Sequence, residues 1–535
     1  MDKYQSINDM WADICHRHYD KKAFTCLGRS LTFGDVDELS NQFASYLQHH
    51  TTLASGDRLA IQLPNILQYP VVIFGALKAG VVIVNVNPLY TAPELIHQLN
   101  DSGAKALVVL KNLAKVAESV IEQTNVQQVV LTEVADLHGF PKRQIINGVL
   151  RYVKKQVPQC SFPSAIDFRK ALELGERDKA TRVETALDDL CFLQYTGGTT
   201  GIAKGAMLSQ RNLLANSHQI LAEWADKLDQ DNEQFLAPLP LYHIYGFNMH
   251  CLVLPATGAE SFLIPNARDL DSVAKVLKSL PLTGIIGINT LYIALMNRPD
   301  FSAFKLDRLK TCSAGGMALS ADTAKRWHEM TGVNVCEGYG LTETSPVVSS
   351  NSLNDVHLGT IGMPLVDTEV KTIDKDGHDL KQGEIGELCV RGPQVMMGYW
   401  KNEAATAEVL SHDGWFRTGD IALIDTEGYI TIVDRQKDIV IVSGFNVYPN
   451  EIEGVLVSHS EVLEAAVVGV PDANSGEAVK AFIVRMPDST IDDEALKAFC
   501  RNSLTAYKVP RFFEFRDELP KTNVGKVLRR ALRTD

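Results

Sequence analysis

Residues 195–205 read YTGGTTGIAKG and follow closely on the apolar run Leu190-Cys191-Phe192-Leu193. The pattern is a strand running into a loop with a permissive backbone. Glycine takes φ > 0 and lets a ligand come close to the main chain; it stands here at Gly197, Gly198, Gly201 and Gly205. Backbone N–H groups, the hydroxyls of Thr196, Thr199 and Thr200, and the charge of Lys204 make one cluster of donors. Such a cluster suits an anion, most simply a nucleotide triphosphate. It is not the Walker pattern, because Lys204 lies between Ala203 and Gly205 rather than between Gly and Ser or Thr. An ordinary surface loop of Gly and Thr has the same composition, so other stretches must decide between the two.

The chain has 535 residues, too many for one ordinary core, and two or more domains are expected. Apolar residues at 45% and charged residues at 22% are those of a globular protein. A net charge of −13 argues against a nucleic-acid binder that relies on bulk positive charge. Nine cysteines are scattered singly without a CxxC, which points to a reducing, cytoplasmic setting rather than a zinc site or disulfide framework. The opening MDKYQSINDMW lacks the apolar segment of a signal peptide. The most apolar stretch, residues 71–86, is interrupted by Gly75, Lys78 and Gly80 and reads as a helix followed by a strand, not a membrane span.

Upstream of the loop, helical patterns alternate with short β-branched runs such as Ala106-Leu107-Val108-Val109-Leu110 and Gln128-Val129-Val130-Leu131. That alternation implies βαβ units and a mainly parallel sheet. Residues 140–158, FPKRQIINGVLRYVKKQVP, stand apart. As a helix they place Ile145, Ile146, Val149, Leu150, Val153 and Val157 on one face, with Arg143, Arg151, Lys154 and Lys155 largely away from it and no acid. Most such stripes pack on their own domain, which is the expectation here; the alternative is peripheral contact with an anionic membrane on its inner, cytoplasmic side.

Downstream, residues 238–247 read PLPLYHIYGF, with His243 among aromatic residues. Three strand patterns then end in small or polar residues: Ile286-Gly287-Ile288-Asn289, Ser313-Ala314-Gly315-Gly316 and Glu337-Gly338-Tyr339-Gly340-Leu341-Thr342-Glu343. In open α/β sheets, ligands bind at the carboxyl ends of strands. Tyr339 beside glycines suits a planar base, and Glu343 is a hard oxygen ligand suited to Mg²⁺ on phosphates. From about residue 370, short strands and Gly turns suggest an antiparallel β subdomain containing Asp420 and Arg435. Arg435-Gln436-Lys437-Asp438 is a charged break, and beyond it lies a small α+β domain. The fold expected is therefore α/β, with a large N-terminal domain over 1–435 and a small mobile domain over 436–535.

In order and spacing, YTGGTTGIAKG, PLPLYHIYGF, GYGLTETSP, WFRTGD, DRQKDIVIVSGFNVYPNEIE and PKTNVGKVLRR resemble the adenylate-forming superfamily of acyl-CoA synthetases, luciferases and peptide-synthetase adenylation domains. The stretch DGWFRTGDIALIDTEGYITIVDRQK, with SGFNVYPNEIE and GINTLY, is similar to the bacterial long-chain fatty-acid–CoA ligases. Gly197 departs from the Ser or Thr of many members, although glycine also occurs there in the fatty-acid ligases.

The resemblance implies an enzyme that joins a fatty acid to coenzyme A through an acyl-adenylate, using ATP and Mg²⁺, as monomer or homodimer. It implies that residues 196–204 hold the β- and γ-phosphates, and that Glu343, with Thr196, holds Mg²⁺. Gly315, Gly316 and Tyr339 would frame adenine between Gly338 and Gly340, Thr342 would lie near the α-phosphate, and Asp420 with Arg435 would bind the ribose. Lys526 would serve adenylation only. A hinge at Lys437 would then remove it and bring Ser443, Gly444 and Phe445 to the CoA tunnel. His243, Tyr242, Tyr245, Gly246, Phe247, Gly287 and Asn289 would surround the acyl group. A medium-chain, aryl or amino-acid activator is the alternative, although no buried acid near 242–247 offers itself to a substrate ammonium. A non-catalytic lipid-binding protein on this fold should have lost a charged group, whereas Lys204, Glu343, Asp420, Arg435 and Lys526 are all present.

Overall fold

The computed structural model describes residues 3–162, 165–196, 203–229, 232–266, 268–472, 475–522 and 526–533. The alternation read upstream of the loop produces a mostly parallel sheet of eight strands. From one edge it runs Gly398–Tyr399, Lys204–Ser209, Leu190–Thr196, Val82–Asn85, Arg58–Gln62, Ala106–Leu110, Gln128–Thr132 and Ala165–Asp167. Every residue of Ala106–Leu110 is buried, as expected for a parallel strand covered on both faces. A second sheet of nine strands is parallel through Val335–Gly340, Thr311–Ala314, Gly284–Gly287, Gln234–Ala237, Glu260–Leu263 and Lys22–Cys26. Helices Phe33–His50 and Gln68–Lys78 pack closely between them: a Cβ on Gly75 would lie 2.8 Å from the Phe43 ring.

A chain of buried polar side chains ties the two sheets together. Tyr69 donates to Asn85 Oδ1 at 2.9 Å and to the Leu241 carbonyl at 2.7 Å. Asn85 donates to Gln194 Oε1 at 3.0 Å, and Gln194 donates to the Tyr242 carbonyl at 2.9 Å. Asn65 donates to the carbonyls of Ala237 and Leu239 and accepts from Leu241 N–H. Buried amides must find partners, and here the partners are the backbone groups of the proline-fixed segment that presents His243.

The β subdomain is a four-stranded antiparallel sheet of Glu369–Ile373, Gly386–Arg391, Phe416–Ile424 and Ile430–Arg435. The chain then passes through a short turn, Gln436–Asp438, into a last sheet built on the long hairpin Val462–Asp472 and Gly476–Arg485. That sheet has its own core, including Val447, Ile452, Leu456, Val479, Ile483 and Leu496. At the junction, Arg529 gathers four side chains. It lies 2.6 Å from Asn450 Oδ1, 2.8 Å from Glu453, 3.2 Å from Asp438 and 3.6 Å from Asp434. Asp434, fully buried, also accepts from Asn450 N–H at 2.7 Å.

The stripe at 140–158 does not pack as expected. The α-helix covers only Lys142–Gly148 and widens into a π-turn over Val149–Val153, which shifts the phase of the following side chains. Asn147 holds the inner side by accepting from Ala135 N–H at 3.0 Å, and Ile146 and Leu150 are half-buried. Phe140, Ile145, Tyr152 and Val153 are left 85%, 59%, 75% and 73% exposed. Among the described residues, no helix is long and apolar enough to cross a membrane.

Candidate active site

Parallel register sets the carboxyl ends of three strands side by side, pairing Gly287 with Ala314 and Ala314 with Glu337. The small residues read from the sequence follow at these ends. Gly340 is required by a close approach: a Cβ there would lie 1.9 Å from the Pro346 carbonyl oxygen. Gly315 lies against the Tyr245 ring, whose hydroxyl pairs with Ser313 Oγ at 2.9 Å. Gly316 has φ of +81°. Glu337, overlooked in the sequence, is buried beside this edge and accepts from Leu319 N–H at 2.9 Å; burial pushes its carboxyl up to about 7.

Three expected residues meet from three elements. Tyr339 donates to Asp420 Oδ2 at 2.5 Å, and Asp420 Oδ1 lies 2.7 Å from Arg435 Nε. Asp420 and Arg435 are cross-strand partners in the antiparallel sheet, which explains the pairing. Burial, reinforced by the Asp420 charge, holds the Tyr339 phenol well above its ordinary range, so it acts as a donor.

Glu343 sits in the short turn Thr342–Thr344, which packs against the strands on either side of the Gly/Thr loop. Its Oε1 accepts from the Tyr399 hydroxyl at 2.8 Å. Asn248 and Asn216 secure the chain after this turn, through the Ser345 carbonyl at 2.7 Å and both backbone groups of Val347. Lys204 and Thr196 are cross-strand partners, and the Lys204 ammonium lies 4.3 Å from the centre of the Tyr399 ring. His97 contacts the Ala203 carbonyl at 2.9 Å, and Tyr195 donates to Asp101 at 2.5 Å. One helix, Ala92–Ser102, thus holds both ends of the loop. Gly197, Gly198, Thr199, Thr200 and Gly201 lie outside the described residues.

His243 is half-buried, and its Nε2 is shielded from solvent without a protein partner. Burial, helped by the nearby Lys526 charge, lowers the imidazole to about 4, so the ring is neutral. Lys526 comes from the C-terminal part of the chain, where its carbonyl accepts from Thr522 N–H at 2.7 Å. Its side chain is exposed to solvent overall, yet the surrounding protein desolvates the ammonium and lowers it to about 8. Arg435 and Lys437 push the same way, while Asp420 and Glu343 oppose them. Lys526, His243, Asp420, Arg435 and Glu343 therefore share one electrostatic neighbourhood.

Other expected residues divide. Tyr242, Gly287 and Asn289 stand near this edge, and Asn289 Oδ1 accepts from Ser320 N–H at 3.2 Å. Phe247 is 0% exposed, with its ring 4.7 Å from that of Phe192. A Cβ on Gly246 would lie 2.3 Å from the Pro240 carbonyl. Lys437 is exposed in the junction turn. Ser443, Gly444 and Phe445 form an exposed hairpin tip, with Phe445 stacked on Tyr507 at 4.9 Å.

Residues 11–400 match the family model of AMP-binding enzymes, and residues 451–526 match that of the AMP-binding enzyme C-terminal domain. Over 535 residues the chain is 49% identical to a long-chain-fatty-acid–CoA ligase of Salmonella typhimurium, covering 100% of this chain and 95% of that one. An anthranilate CoA ligase in complex with anthranoyl-AMP superposes with a TM-score of 0.87 at 26% identity, over 100% of this chain and 98% of that one. ATP-bound MatB from Rhodopseudomonas palustris gives 0.85 at 28% identity, over 98% of each chain. Apo MatB, at the same identity and coverage, gives only 0.73, so the overall arrangement here is nearer to the ATP-bound form. The chain belongs to the AMP-binding enzyme family, matching both the model of the enzyme and that of its C-terminal domain.

Proposed function

We propose that the protein is an AMP-forming long-chain fatty-acid–CoA ligase. The observation that carries this reading is the convergence of Lys526 with His243, Asp420, Arg435 and Glu343, in a chain 49% identical throughout to such a ligase. A carboxylate cannot acylate a thiol directly, because its leaving group would be oxide. In the first half-reaction a carboxylate oxygen bonds to the α-phosphorus of ATP, and the bond to the bridging oxygen of pyrophosphate breaks. In the second, the CoA thiolate attacks the acyl carbon and AMP leaves.

The residues serve positioning and charge stabilisation. Tyr339, Gly315 and Gly316 frame the base, Asp420 and Arg435 take the ribose hydroxyls, and Thr196 with Lys204 takes the far phosphates. Lys526 and Thr342 meet the charge that builds on the α-phosphoryl group. His243, its imidazole lowered to about 4 and so uncharged near neutral pH, offers Nε2 to the carboxylate or the thiol without adding charge. Glu343 keeps one oxygen clear of Tyr399, and with the Thr196 hydroxyl makes the hard-oxygen donor set that Mg²⁺ prefers. Such an ion would neutralise phosphate charge. Rotation about Lys437 would withdraw Lys526 and bring Ser443-Gly444-Phe445 inward for thioester formation.

The test is CoA-dependent AMP release over acids from acetate to oleate, with aryl and amino acids included. The expected outcome is a kcat/KM for palmitate at least about a hundredfold above octanoate or benzoate; at about 0.8 kcal/mol per buried methylene, burying as few as four of the additional methylenes gives that ratio. A maximum at an aryl acid would transfer the reading to that class, which the likeness to the anthranilate ligase favours as the second choice.

The proposed reading includes a membrane contact. Phe140, Ile145, Tyr152 and Val153 stand exposed beside the exposed Lys142, Lys154 and Lys155, while Arg151 is spent on Glu133. An apolar side ringed by lysines, in a chain of net charge −13, fits the interface of an anionic bilayer. Changing Lys142, Lys154 and Lys155 to Glu is expected to weaken binding to phosphatidylglycerol vesicles in flotation about a hundredfold or more, at about 1 kcal/mol for each lysine lost. Unchanged flotation would remove the membrane contact and leave the ligase assignment intact.

A further inference from the structure

We infer that Tyr399 keeps Lys204 and Glu343 apart and positions both for the polyphosphate end of ATP; this rests on the proposed placement of ATP and Mg²⁺ at the Gly/Thr loop. Tyr399 is only 6% exposed and is fixed from several sides. Its strand, Gly398–Tyr399, pairs antiparallel with Lys204–Ser209, setting Tyr399 opposite Ala206. Tyr399 N–H donates to Thr406 Oγ1 at 2.9 Å. The next residue, Trp400, donates its backbone N–H to the Gly205 carbonyl at 2.8 Å and its indole N–H to the Asp101 carbonyl at 3.1 Å. A ring held this firmly can act as a partition.

Its two polar features point to two different charges. The face of the ring carries the Lys204 ammonium, and the hydroxyl holds Glu343 Oε1. Among the described residues, no carboxylate pairs with Lys204 and no cation pairs with Glu343. Lysine and glutamate so near each other would ordinarily form an ion pair, and that pair would quench the cation needed by phosphate and the anion needed by a metal. The aromatic face holds a cation without neutralising it. The Tyr399 hydroxyl meets Glu343 Oε1 as a hydrogen-bond donor at 2.8 Å and brings no cation to it. With Oε1 occupied, Glu343 presents its other oxygen. Tyr399 is a positioning residue: it acts through Lys204 and Glu343.

The test is equilibrium binding of ATP, without fatty acid or CoA, at a series of free Mg²⁺ concentrations. Tyr399→Phe keeps the ring under Lys204 and removes the hydroxyl. It is expected to leave Mg²⁺-free affinity and thermal stability unchanged and to raise the Mg²⁺ midpoint about tenfold, the usual loss on removing a partner of a metal-binding carboxylate. Tyr399→Leu removes the partition. It is expected to lower Mg²⁺-free affinity about tenfold as Lys204 turns to Glu343, and adding Glu343→Gln should restore that affinity. Glu343→Gln alone separates the two levels of inference. If it leaves the Mg²⁺ dependence intact, the placement of the metal fails. If it abolishes that dependence but Tyr399→Phe leaves the midpoint unmoved, or Glu343→Gln fails to rescue Tyr399→Leu, the role given to Tyr399 is overturned.

Discussion

Lys526→Ala is expected to lower ATP–pyrophosphate exchange about a thousandfold, the scale of losing one fixed donor to a developing oxyanion. Conversion of a supplied acyl-adenylate to acyl-CoA should stay within a few-fold of wild type. The reason for the asymmetry is placement: the Lys526 charge is felt by His243 and feels those of Asp420 and Glu343, while Ser443-Gly444-Phe445 lie in solvent. Equal loss of both half-reactions would refute the division of labour. The lysine also predicts a proton linkage. Its ammonium is lowered to about 8, so below pH 8 it is already charged, and above pH 8 binding of the triphosphate must take up a proton. ATP affinity should therefore fall as pH rises from 8 towards the ordinary lysine range. Titration calorimetry in buffers of different ionisation enthalpy reads that uptake directly. Lys526→Gln should abolish it, since Arg435 cannot titrate there.

Asp420→Ala should have the second-largest effect, and on two properties together. Asp420 is 2% exposed and serves both Tyr339 and Arg435. Its removal leaves a half-buried guanidinium and a buried phenol without their shared partner. The expected destabilisation is about 3 kcal/mol, below the usual figure for a fully buried broken pair because Arg435 retains contact with water. Losing the ribose carboxylate should weaken ATP about a hundredfold, as when a charged hydrogen-bonding partner is lost. Denaturant melts with nucleotide titrations check both. Asp420→Asn, which preserves shape and one acceptor, should recover part of the stability; full ATP affinity in Asp420→Ala would refute the ribose assignment.

The features legible in the sequence were those that local chemistry enforces. Strand runs followed by Gly315, Gly338 and Gly340 could be read directly, and Tyr339, Asp420 and Arg435, singled out with them, are in contact. The residues that hold this edge were invisible, because their partners are remote in the chain: Asn65 serves Leu239, Tyr69 serves Leu241 and Tyr399 serves Glu343. A buried amide looks like any other amide until the backbone it satisfies is known. The contact of Phe247 with Phe192 was equally hidden, because helical phase and not sequence neighbourhood sets it. The stripe at 140–158 was misjudged because a π-turn has no signature in hydrophobic spacing.

The junction around Arg529 bears on how such enzymes can be recombined. Its contacts are drawn from Asp434 and Asp438, from Asn450 and Glu453, and from Arg529 itself. A chimera cut between Arg435 and Gln436 would look clean in sequence, yet it would give the buried Asp434 a foreign set of partners. A cut just before Asp434 moves the acid with the arginine that answers it, although it then separates Arg435 from Asp420. The natural module for exchange therefore overlaps both domains by two residues, and a functional graft has to match Asp434 and Arg435 to opposite sides of the seam.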